Sequence, residues 1–100
     1  MRVTKGDAAP SVIIPGTSVF MVDYTVTRNC DRVKFKLFTK SYRKVAEVLI
    51  ASPQGAGGFR KEIPVSIFSG LSPGAYVYVI EAEGEGRRAL SKAGVLTVIR

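Results

Sequence analysis

Seven cations, Arg28, Arg32, Lys34, Lys36, Lys40, Arg43 and Lys44, fall within seventeen residues, with only Asp31 among them. Their spacing decides what they could do. In "RVKFKLF" (32–38), Arg32, Lys34 and Lys36 alternate with Val33, Phe35 and Leu37. On an extended chain the three charges then project from one face at intervals of about 6.6–6.8 Å. Lys40, Arg43 and Lys44 carry the patch onward. Such a row can meet an acidic partner, or it can be a solvated face that guards a sheet edge against aggregation. Nucleic acid is the weaker partner class, because no exposed aromatic platforms accompany the lysines. Phe35 and Phe38 flank the row, and Phe35 turns inward by parity.

The remaining chemistry is sparse. The chain has no histidine and one cysteine, Cys30, so it lacks the commonest general base, a cysteine zinc site and an internal disulfide. Ser66, Ser69, Ser72 and Ser91 have no histidine to activate them. "GAGG" (55–58) is not followed by a helix whose N-terminus could hold phosphate. Glu81, Glu83 and Glu85 recur at period two but lack the spacing and Asp/Asn ligands of a calcium loop, and read as a solvated edge. The expectation is a non-enzyme with no cofactor and no metal.

The elements that must position these residues are strands. "SVFMVDYTV" (18–26) puts Phe20, Val22, Tyr24 and Val26 on one face. "KVAEVLI" (44–50), "FRKEIPVSIF" (59–68), "AYVYVIEAE" (75–83) and "RRALSKAGVLTVIR" (87–100) follow, and "SVIIPG" (11–16) suits an edge strand. About seven strands with breaks every 8–12 residues predict a seven-stranded antiparallel sandwich. Residues 1–10 read as a flexible lead-in or linker and 11–100 as a single domain. No apolar run approaches the roughly 18 residues of a membrane span, so no membrane insertion is expected. At 100 residues there is room for one core.

"LSPGAYVYVI" (71–80) reads as the crossing from one sheet to the other. Leu71 plugs the core, Pro73-Gly74 turns the chain, and Tyr76 buries its ring while its hydroxyl bonds backbone of the crossing loop. Tyr78 and Ile80 continue the core face, with Phe20, Val22, Tyr24, Val33, Phe35 and Leu37. Val77 and Val79 lie on the opposite side, so the middle of this strand is apolar on both faces. A sandwich strand needs one apolar face. The second must be covered by the N-terminal segment 1–14, by lysine stems, or by another domain or subunit.

The order "VDYTVTRNCDRVKFKLFTKSYRKVAEVL", "LSPGAYVYVIEA", "AGVLTV" resembles the Ig-like domains of bacterial flagellar hook-capping proteins. It is also similar to the related C-terminal sorting modules of exported bacterial proteins. The likeness covers roughly residues 12–99. It implies an Ig-like or fibronectin type III-like fold, an extracellular, cell-surface or periplasmic location, and a non-catalytic structural, assembly or protein-binding module. The alternative is a basic module for an acidic polymer or nucleic acid. Candidate partner-binding residues are Arg32, Lys34, Lys36, Lys40, Arg43, Lys44, Val77 and Val79, facing a protein partner or a neighbouring domain. Two departures stand out. The chain has no tryptophan and reads "PVSIFSG" where hook-capping domains carry Trp-Asp-Gly. Thr39 and Tyr42 stand near an Asp and a Gly usual in the hairpin, which predicts a changed turn type there.

Overall fold

The computed structural model describes residues 2–9, 11–14 and 19–99. Among these the chain forms nine strands and one 3-10 turn in two facing sheets. The strands are β1 (Val3–Ala9), β2 (Val12–Ile13), β3 (Phe20–Val26), β4 (Arg32–Phe38), β5 (Lys44–Ala51), β6 (Gly57–Ile63), β7 (Gly74–Gly84), β8 (Arg87–Leu90) and β9 (Gly94–Val98). One sheet runs β1-β3-β6. The other runs β2-β9-β7-β4-β5, with β8 paired to β7. All pairings are antiparallel except the short β2–β9 contact, which is parallel. The result is an all-β, sandwich-like domain.

Alternation along the strands builds the core. Phe20, Val22, Tyr24 and Val26 of β3 are buried, as are Val33, Phe35 and Leu37 of β4 and Tyr76, Tyr78, Ile80 and Ala82 of β7. Phe20 meets Phe35 edge to face across the two sheets at 5.6 Å between ring centroids, and Phe68 at 5.2 Å. Such geometry adds about 0.5–1.5 kcal/mol per pair beyond burial. The Tyr76 hydroxyl donates to the Ser72 carbonyl at 2.6 Å, which is the tyrosine corner expected from "LSPGAY". Leu71 packs half-buried against the core beside it. Tyr78 does a second job: its hydroxyl accepts from the Ala8 N–H at 3.1 Å and ties β1 to the opposite sheet. Its ring lies over Gly94, where an added Cβ would come within 2.3 Å of the ring carbon Cζ, so only glycine leaves room for it.

Four expectations are corrected. Residues 3–9 are not a lead-in; they form β1, paired with β3 along its length. Few apolar side chains are needed at a sheet edge, where the backbone does the pairing. The strand expected over 59–68 stops at Ile63, because Pro64 has no N–H to give a ladder, and Val65–Phe68 turn as a 3-10 helix. The single strand expected over 87–100 is two, β8 and β9, which with β1 brings the count among the described residues to nine rather than seven. The hairpin turn between β4 and β5 keeps its left-handed residue: Tyr42 has φ +64°.

Candidate functional site

Parity and register place the candidate residues on the outward-facing side of the six-stranded sheet. Directly opposed residues of an antiparallel pair share a face. Arg32 lies opposite Glu83, Lys34 opposite Glu81, Lys36 opposite Val79 and Phe38 opposite Val77. On the far side of β7, Val77 lies opposite Val95, and Glu81 opposite Leu90. On β5, Glu47 lies opposite Lys36 and Leu49 opposite Lys34. The basic row and the two valines therefore share one face, as their alternation predicted. The N-terminal cover proposed for the valines is elsewhere, since β1 and β2 extend the sheets at their edges.

The row is not a free positive surface. Arg32 Nε meets Glu83 Oε2 at 3.0 Å, and Lys34 Nζ meets Glu83 Oε1 at 3.8 Å. Lys36 Nζ is paired with Glu81 and lies 3.6 Å from Glu47 Oε1; Lys44 Nζ also lies 3.6 Å from that oxygen. The expectation of a solvated acidic edge is thus corrected for Glu81 and Glu83, while Glu85 is exposed. Glu81 is 2% exposed, and Glu83 is half-buried. Burial alone would push the Glu81 carboxyl up, but the hydrogen bond and charge of Lys36, with the charge of Arg88, hold it below the ordinary glutamate value. Lys36 is raised in turn, chiefly by its hydrogen bond to Glu81. Glu81 Oε1 has no hydrogen-bond partner among the described residues; Arg88 approaches it at 3.7 Å.

Apolar residues occupy the rest of the face. Val77, Val79 and Phe38 are half-buried, while Val95 is 61% and Leu90 59% exposed. Lys36, Phe38, Val79, Glu81, Arg88 and Leu90 line a shallow concavity of about 500 Å³. Val95, Leu90 and Leu49 were missed from sequence; the signal for Val95 and Leu90 was the alternation of 87–100, blurred when that stretch was read as one strand, and that for Leu49 was the alternation of β5. Lys40 and Arg43 stand apart. They are exposed in the β4–β5 hairpin, with no ion pair among the described residues.

Elsewhere the titratable groups serve the core. The Tyr24 hydroxyl donates to Gln54 Oε1 at 2.5 Å, and burial, with a smaller contribution from Cys30, pushes its pKa up to about 12. Burial likewise raises the Cys30 thiol, with Asp31 adding to it. Among the described residues no three His, Cys, Asp or Glu side chains converge to hold a metal ion. Among the described residues no helix is long and apolar enough to cross a membrane. No protein-family model matches the chain, and no curated protein is significantly similar to it.

Proposed function

We propose that this domain is an Ig-like, fibronectin type III-like module of an exported or flagellar bacterial protein. It acts without catalysis, docking a protein partner or a neighbouring domain on the outer face of the six-stranded sheet. The Ig-like assignment is supported by the order of strands β1-β3-β6 facing β9-β7-β4-β5, the tyrosine corner at Tyr76 and the sequence likeness. The observation that carries the docking reading is the composition of the face. Val95, Val77 and Phe38 form one apolar row across three strands, with Val79 and Leu90 beside it. The adjoining cations are neutralised by their own carboxylates. A surface that is apolar at its centre and internally charge-balanced fits an apolar protein patch better than a polyanion.

Val79→Lys tests this. Val79 faces outward on β7, so the charged tip of a lysine can reach water while its stem covers the sheet. Thermal unfolding of the isolated domain is expected to change little, while its incorporation into the parent assembly is lost. If the variant unfolds the domain, or assembles like the unaltered chain, the docking face is wrong.

A further inference from the structure

The β4–β5 hairpin turn puts a bulky residue where glycine would be cheaper. Tyr42 has φ +64°, a region that a bulky L-residue enters at a steric cost glycine escapes. Its side chain is 73% exposed, so little burial offsets that cost. The turn is nevertheless well made. Thr39 anchors four hydrogen bonds: its N–H donates to the Arg43 carbonyl at 2.9 Å, its carbonyl accepts from the Tyr42 N–H at 2.9 Å, and its Oγ1 accepts from the Arg43 N–H at 3.2 Å and meets Ser41 Oγ at 3.0 Å. Strained residues held by a rigid surround cluster at binding and switch sites.

We propose that this tip, Tyr42 with Lys40 and Arg43, is the anchor of the docking face and that it fits an acidic segment of the protein partner. The inference rests on the docking reading above. Arg32, Lys34, Lys36 and Lys44 each have a carboxylate, whereas Lys40 and Arg43 have none among the described residues. The tip follows directly on the apolar row, because Phe38, paired with Val77, is the last residue of β4 before the turn. Two uncompensated cations beside an exposed phenol ring recognise carboxylates while offering apolar contact area. One aromatic does not make the stacking run that a single-stranded nucleic acid uses, which favours a protein partner.

The test is an NMR titration of the isotope-labelled domain with poly-L-glutamate, with oligo(dT) in a parallel arm. Shifts are expected to centre on residues 39–44. Tyr42→Gly and the Lys40→Ser/Arg43→Ser pair should each weaken binding roughly fivefold or more. Arg28→Ser/Arg87→Ser, which removes equal charge at the opposite end of β4, should not. Tyr42→Gly should also unfold at a higher temperature, so its lost binding would not reflect misfolding. Shifts centred on Arg28 and Arg87, unchanged binding by Tyr42→Gly, or tighter binding of oligo(dT) would each overturn the proposal. None of these results bears on Val79→Lys, so the anchor and the docking face fail separately.

Discussion

Glu81 sits on the outward-facing side of β7 and is nonetheless 2% exposed. A charge placed there is stable only if its partners outweigh the lost water. Lys36, itself 15% exposed, supplies the main one. The network is asymmetric, and that gives a prediction. Removing Glu81 leaves Lys36 near Glu47; removing Lys36 leaves Glu81 with only Arg88, at 3.7 Å. Lys36→Met should therefore cost about 3–5 kcal/mol, as for other orphaned buried charges. Glu81→Gln should cost less, about 1.5–3 kcal/mol, the range for a hydrogen bond to a charged group. The double change Lys36→Met/Glu81→Leu should be nearly neutral, because a well-packed apolar pair replaces a buried ionic one at little net cost. Chemical denaturation of the three variants measures this, and equal losses in the two single variants would contradict it.

At the scale of elements, the ion pairs between β4 and β7 make the sheet sensitive to pH. Glu81 lies below its ordinary value of 4.5, so its stabilisation is complete above that pH. As pH falls from 4.5 through the depressed folded value, the unfolded chain takes up protons first and stability declines. Lys36 and Tyr24 are raised, so their contributions are complete below 10.5 and 10.0 and are lost as pH rises through the folded values, about 12 for Tyr24. Denaturation midpoints across pH should show both limbs, with the acid limb shallower in Lys36→Met/Glu81→Leu than in the unaltered chain. Superimposable acid limbs would contradict the role given to Glu81. Of the strands carrying this ladder, β4 was legible in sequence because it alternates between a buried and an outward face, and β7 because Tyr76, Tyr78, Ile80 and Ala82 recur at period two on the buried face. β1 was not. "VTKGDAA" (3–9) has few apolar residues, and its pairing with β3 rests on backbone groups that carry no side-chain signal.

For the whole molecule, the legible part of the site was its location: Val77, Val79 and the Arg32–Lys36 row share a face because period two says so. The charge balance was hidden, since it depends on the register of β4 against β7, two strands separated by β5 and β6 in the chain. The strain at Tyr42 was hidden for a different reason. Its type disfavours φ > 0, and the pairing of β4 with β5 overrides that preference. What remains central is the proposal that a protein docks on the outer face. Site-specific photocrosslinking in the producing cell tests it most directly. A photoreactive phenylalanine analogue replaces Val95, 61% exposed on that face, or Val19, 64% exposed just before β3, in separate variants of the full protein. The account predicts an adduct of one discrete mass from position 95 that is absent from position 19 and is lost when Val79→Lys is added. No adduct at 95, or the same adducts from both positions, would contradict it.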